Sequence, residues 1–279
     1  MQKKLERQLK LGSVALPYVS AQLRASMAGI YAAMQRLAPA ERRREDPQLD
    51  RDAARLELSY YRLLRLAGNL SAADRFVNGA PLELRDHDIV ALCSSLCDRA
   101  EPLFSQCGVQ LHFAATPRRI VFALDSAAIE RLLLNLLSNA LQAMPGGGSV
   151  SVNLRTCEDG SVLLRVSDTG RGLAGKQGSE LFALQLDGTA DSAASGLGLG
   201  LPLCRVIAEA HGGSIILTDL PTGHGAQAVV SFPAHKQDTI ALHDSAIDYL
   251  GGFDHVLVEL SDALPESVFR RSSLGGDTV

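Results

Sequence analysis

No run in this 279-residue chain approaches 18 consecutive apolar residues, which excludes a membrane-spanning helix. The opening residues, MQKKLERQLKLGS, lack the apolar segment and small-residue cleavage site of a secretory signal. The five cysteines, Cys93, Cys97, Cys107, Cys157 and Cys204, are odd in number and contain no CxxC pair. Neither an extracellular disulfide framework nor a zinc ribbon fits that pattern. Cys93 and Cys97, four apart on one helix face, read as buried reduced thiols rather than metal ligands. No low-complexity or collagen-like bias is present. These absences predict a cytoplasmic protein.

What is present is enough apolar material, 46% of residues, for a core spread over one or two domains. The net charge of −4 argues against nucleic-acid binding, but it is unevenly placed. Residues 1–47 carry nine basic and four acidic side chains; residues 234–279 carry three basic and eight acidic. A basic head and an acidic tail either attract each other, or other partners, or are two solvated surfaces.

The first 77 residues carry two heptad series: Leu9, Leu16, Leu23, Ile30 and Leu37, then Leu49, Leu56, Leu63, Leu70 and Val77. Val19, Met27 and Met34 flank the first; Ala53, Tyr60 and Ala67 flank the second. Two striped helices joined by the polar loop 38–48 describe an antiparallel hairpin. Two amphipathic helices cannot bury both stripes alone, so a four-helix bundle made by two chains is expected. Pro17 lies inside the first pattern and predicts a kink or restart there.

Beyond residue 80 the period changes. A helix is predicted over 86–107, then strands over 109–114 and 119–124, then a strong helix over 126–143 stopped by Pro145 and three glycines. Strand-like runs follow at 148–156, 161–167, 213–218 and 226–232, with a helix at about 200–211. The fold class is α+β, a sheet with helices on one face. In the last 46 residues the one convincing strand-like run is 255–260, part of an extra element or a loosely docked tail.

Three features carry chemistry. Asn135 and Asn139 share a face of the otherwise leucine-rich 126–143 helix. Neutral amide oxygens suit Mg2+ and its water shell; the plainer reading is two amides bonded to nearby backbone. Asp168-Thr-Gly170-Arg-Gly172 follows a strand, so a carboxylate at a strand end can accept from a purine amino group while glycines admit the ring closely. The same string also reads as an ordinary Asp-Gly turn. Gly196-Leu-Gly198-Leu199-Gly200 leads into a helix, where free amides and the dipole make a phosphate cradle. It is neither a Rossmann fingerprint nor a Walker A loop.

In this order and on these elements, the three together resemble the ATP-binding domain of the histidine protein kinases, within the wider Bergerat-fold ATPases. NLLSNALQAM is similar to the N box, DTGRGL to the first glycine box and GLGLGLPLCRVIAEAHGGSI to the second, with Phe182 in ELFALQ as the F box. The resemblance covers roughly residues 10–233. It implies a hairpin dimerisation domain at 1–79, an α/β sandwich ATP-binding domain at 80–234 and an acidic extension at 235–279. It further implies ATP and Mg2+ as cofactors. Asn135 and Asn139 hold metal and phosphate, Asp168 reads adenine, and Gly170, Gly172, Gly196, Gly198, Leu199 and Gly200 shape the pocket with Phe182. Residues 174–195 would be the lid, and His211 a structural residue.

The family's first hairpin helix carries a segment close to Ser-His-Glu-Leu-Arg-Thr-Pro-Leu. Here the matching stretch is SAQLRASM. Ala21 stands at the phosphorylated histidine, Gln22 at the adjacent acid and Ala25 at the polar residue used in dephosphorylating a partner. All seven histidines lie at position 87 or later. Phosphoryl transfer needs a nucleophile with a lone pair in line with the γ-phosphate, which a methyl group lacks. Glutamine cannot take a proton as a carboxylate does. Between Phe182 and Gly196 there is also no Lys or Arg, and Lys176 is the lid's one cation. The hydroxyls of Tyr18, Ser20 and Ser26 have no evident base beside them.

The expectation is a homodimeric protein that binds Mg-ATP without a phosphoacceptor histidine. Such a pseudokinase would regulate or scaffold a response regulator or another kinase. The alternative is an active kinase on a non-histidine or external acceptor, or a slow ATPase. In either case Glu130, out of phase with the asparagine face, is not expected to be the base.

Overall fold

The computed structural model describes residues 21–77, 79–173, 175, 178–182, 198–221, 223–233 and 254–271. The heptad positions Leu9 and Leu16, the expected break at Pro17, and Lys176 and Gly196 lie outside them. The chain divides into two units: residues up to Ala80 together with those from Leu264 onward, and Pro81–Ala263.

The helical unit contains α1 (residues 21–37), α2 (Ala40–Glu45) and α3 (Pro47–Val77). Helices α1 and α3 run antiparallel: Arg24 donates to Ser71 Oγ, Tyr31 stacks on Tyr60 with ring centroids 4.8 Å apart, and Gln35 donates to Glu57. The flanking residues fill this interface. Met27, Met34, Ala53, Tyr60 and Ala67 are buried. The heptad leucines do not join them: Leu23, Ile30, Leu37, Leu56 and Leu63 are 36% to 74% exposed.

The loop expected at 38–48 holds a short helix instead, and the reason is Arg43. This residue is 1% exposed, and its guanidinium pairs Asp50 at 2.9 Å and Glu57 at 3.0 Å, both acidic residues being buried. Its remaining Nη2 donates to the carbonyl of Phe269 at 2.6 Å. A buried guanidinium is tolerated only when its forked donors are met in this way. The turn of α2 brings the side chain to α3.

The second unit opens with β1 (Arg85–Asp88) and α4 (Ile89–Gln106). The helix expected from residue 86 therefore begins three residues late. Asp88 caps α4 by accepting from Val90 N at 3.0 Å, and the preceding four residues pair antiparallel with β3 (Val121–Leu124). Between them runs β2 (Val109–Thr116). Next come α5 (Ser126–Gln142), β4 (Gly148–Thr156) and β5 (Val162–Asp168). The order continues with the short α6 (Gly178–Leu181), α7 (Gly200–Ala210), β6 (Ser214–Asp219), β7 (Ala226–Phe232) and α8 (His255–Leu260).

Five strands form one mixed sheet in the order β2-β4-β5-β7-β6, with only the β2–β4 pair parallel. Alternate residues of the central strands are buried: Val150, Val152 and Leu154 on β4, Val162, Leu164 and Val166 on β5, Ala228, Val230 and Phe232 on β7. That period-two pattern gives the sheet one apolar face, covered by α4, α5 and α7, as the sequence predicts. Helix α5 is apolar nearly all round because α4, α7 and α8 surround it while it packs on the sheet.

The strand expected at 255–260 is a helix. Asp254 accepts from Val256 N at 2.9 Å, which is an N-cap, and the segment packs on α4 and α5 rather than on a sheet edge. Apolar alternation over six residues does not separate the two periods; the capping aspartate and the partner surface decide.

Candidate functional site

Helix α5 is the element on which the expected site residues converge. Asp125 caps its start by accepting from Ala128 N at 3.1 Å, and the Asp125 N–H donates to His211 Nε2 at 3.1 Å. The other ring nitrogen of His211 donates to Ile207 O at 2.8 Å. Burial holds this imidazole below its ordinary pKa, as a neutral ring that accepts on one nitrogen and donates on the other. His211 thus joins the end of α7 to the start of α5, a structural role.

On α5, Asn135 is fully buried, its Nδ2 donating to Arg131 O at 2.9 Å. Its Oδ1 lies against Gly200 at the start of α7; a Cβ at Gly200 would sit 3.0 Å from that oxygen. One turn later Asn139 is half-buried, and its Nδ2 is enclosed with no hydrogen-bond partner. An orphaned amide on an otherwise apolar helix is uncommon in a settled interior.

Asp168 ends β5 and is 8% exposed. Its Oδ1 accepts from Gly170 N at 2.9 Å and Ala226 N at 3.3 Å. Burial raises the carboxyl pKa, and these two N–H groups oppose part of the rise. The next turn is pressed onto the end of α5. Arg171 N donates to Ala143 O at 3.2 Å, and a side chain at Gly170 would overlap the Ala143 backbone, with 2.6 Å to its oxygen. This contact puts Asp168 beside the turn that follows Asn139.

Gly172, at φ +70°, faces Asp219, whose Oδ1 accepts from Leu173 N at 2.6 Å. Gly225 admits the backbone of Asp168 so closely that any side chain there would collide with its carbonyl. Asp219 and Gly225 were not singled out in the sequence. Their one signal, the turn Asp-Leu-Pro-Thr-Gly-His-Gly between β6 and β7, looks like any surface hairpin.

The structure therefore gathers Asn135, Asn139, Asp168, Gly170, Gly172 and Gly200 about α5. Gly198, at φ +63°, and Leu199 lead into α7. Phe182 is half-buried just after α6, which packs near β6. Glu130 faces away from this group, toward His255 Nδ1 at 3.6 Å, and burial raises its carboxyl pKa. The hairpin positions Ala21, Gln22 and Ala25 are exposed on α1.

Comparison with known proteins bears directly on this arrangement. Residues 124–236 match the family described as the histidine kinase-, DNA gyrase B-, and HSP90-like ATPases. The chain contains a histidine kinase-like ATPase domain. Among curated proteins, it is 30% identical over 168 residues to the sensor histidine kinase TmoS of Ectopseudomonas mendocina, covering 60% of this chain and 17% of that protein. It is 34% identical over 129 residues to the sensor histidine kinase ZraS of Klebsiella oxytoca, covering 46% and 27%. It is 32% identical over 173 residues to the alginate biosynthesis sensor protein KinB of Pseudomonas aeruginosa, covering 62% and 28%. The chain thus spans less than a third of the length of these relatives.

Among solved structures, full-length ShkA in complex with AMPPNP is similar in fold, with a TM-score of 0.60 and 22% identity over 81% of this chain and 46% of that one. Within that match, the stretch resembling the N box is α5, the one resembling the first glycine box is the turn after β5, and the one resembling the second leads into α7. Among the described residues no helix is long and apolar enough to cross a membrane. No cluster of three His, Cys, Asp or Glu suited to a metal occurs among them either.

Proposed function

We propose that this protein binds Mg-ATP and signals by its nucleotide state, without passing phosphate to a histidine of its own hairpin. The observation that carries the reading is the pairing of Asp168 and Asn139 on either side of the Gly170–Ala143 contact. One carboxylate oxygen of Asp168 is held by two backbone N–H groups, which orients the other as an acceptor for the adenine amino group. The glycines around it supply the close backbone approach a flat ring needs.

Asn139 fits a magnesium–phosphate group by its donor set. Its oxygen is a hard ligand for the ion or its water, and its unpaired N–H is a donor for a phosphate oxygen. Asn135 has its amide nitrogen committed to Arg131 and contributes its oxygen beside Gly200. The start of α7, an 11-residue helix, presents free backbone N–H groups to the phosphates. The ion, when bound, neutralises phosphate charge.

Such a site holds nucleotide, but the hairpin offers no histidine to receive phosphate. Ala21 and Gln22 stand where a nucleophile and its base would be, and no histidine precedes His87. The exposed stripe Leu23, Ile30, Leu37, Leu56 and Leu63 is what a second copy would cover, completing a four-helix bundle. A homodimer whose ATPase domains respond to ATP is then read by a partner, a response regulator or another kinase.

Calorimetric titration of the full chain with a Mg-bound non-hydrolysable ATP analogue tests this reading. Saturable binding is expected. Asn139→Ala should weaken it about 10-fold or more, the cost of a hydrogen bond to a charged group, while adenosine without phosphates is affected little. Absence of binding by the unmodified protein would overturn the proposal.

A further inference from the structure

The C-terminal segment is built into both units. In the ATPase unit, α8 lies on α4 and α5 through Val256, Val258 and Leu260, each at most 1% exposed. Charged contacts fasten it: Glu259 pairs Arg131 at 2.9 Å in a buried setting, Asp254 pairs Arg99 at 3.0 Å, and His255 lies 3.6 Å from both Glu130 and Glu259. Arg131 is also the residue whose carbonyl holds the amide of Asn135. The grip of α8 on α5 therefore falls one turn from Asn135 and two from Asn139.

Only Ser261–Ala263 separate α8 from Leu264, where the chain enters the helical unit. There Leu264 is buried, and Phe269 packs on Tyr61 with ring centroids 5.4 Å apart. The Phe269 carbonyl accepts from Arg43, the Arg271 N–H donates to Asp50, and Glu266 meets Arg55 at 2.7 Å. A loosely held acidic tail would have none of this burial. In the helical unit the charge of its Glu266 is matched by Arg55 of α3.

We infer that residues 254–271 are an internal tether that couples the nucleotide-binding helix α5 to the hairpin, in addition to the direct chain connection near residues 78–84. Docking at one end raises the local concentration of the other end at its own surface, so the two ends stabilise each other. In a chain without a hairpin histidine, this is a route by which a change at α5 reaches α3 without phosphate moving. The tether stands on the fold, and its use in signalling rests on the nucleotide reading above.

Hydrogen exchange on the full chain tests it. Phe269→Ala combined with Glu266→Ala loosens the hairpin end, and circular dichroism checks that both units stay folded. Exchange in α8 and the facing part of α4 should then rise by about 5-fold or more, although the substituted residues belong to the other unit. Glu259→Gln should reciprocally speed exchange over residues 264–271. Changes confined to the substituted end would overturn the tether. With the Mg-ATP analogue added, protection of α3 should change in the unmodified protein and not in the Phe269 variant. A protein that binds no analogue would contradict the nucleotide reading, while the exchange comparison without ligand still decides the tether.

Discussion

Arg43→Leu is expected to destabilise the helical unit by about 3–5 kcal/mol, because it leaves two buried carboxylates without their cation. Asp50 is fully buried and Glu57 nearly so, and both are positioned by α3 to meet the guanidinium. A loss of that size is a large part of the roughly 5–15 kcal/mol that holds a typical domain together. Replacing all three charged residues by leucine should cost far less, since the penalty lies in the stranded charges. Urea titration checks this conveniently. There is no tryptophan, and Tyr31, Tyr60 and Tyr61 sit together in the hairpin, so tyrosine emission reports mainly on that unit. A midpoint shift no larger than a surface Arg substitution gives would show that the network contributes little.

Asp168→Asn should weaken adenine-nucleotide binding by roughly 10- to 100-fold, with the fold retained. Hydrogen bonds to an ionised partner are worth about 1.5–3 kcal/mol, and the amide keeps an oxygen for the Gly170 and Ala226 N–H groups while losing the charge. Affinity should also depend on pH in a definite direction. The amino group needs the ionised carboxylate, and burial raises the Asp168 pKa in the unliganded fold. Binding should therefore fall as pH drops through that raised value, and nucleotide should bind with proton release in the same range. For the free protein the sign reverses. A carboxyl whose folded pKa is raised costs stability when ionised, and that cost fades as pH falls. A pH-independent affinity, or an unchanged affinity in Asp168→Asn, would remove Asp168 from the site.

Much of this was legible beforehand because it rests on local pattern. The period-two runs of β4, β5 and β7, the leucine-rich α5 with Pro145 after it, and the glycines before α7 give their elements nearly to the residue. The first miss, at the start of α4, came from Asp88 ending a strand and capping a helix at one position. The second, α2, came from a long-range buried ion network that no window of ten residues contains. The third, α8, depended on a partner surface more than a hundred residues away in sequence. The candidate site divides in the same way. Asn139 and Asp168 announce themselves by type and spacing, whereas Asp219 and Gly225 act through backbone approach, and only the folded chain shows what they meet.

The most direct test of the central claim is to incubate the purified full chain with γ-labelled Mg-ATP and follow label on protein and free phosphate together. Bound nucleotide with no label on the protein is the predicted result, since Ala21 and Gln22 leave α1 without the histidine and its neighbouring acid. Free phosphate at a low rate would still agree with a nucleotide-state signal. Stable label on the protein would contradict the account, and its position would name the acceptor that took the histidine's place.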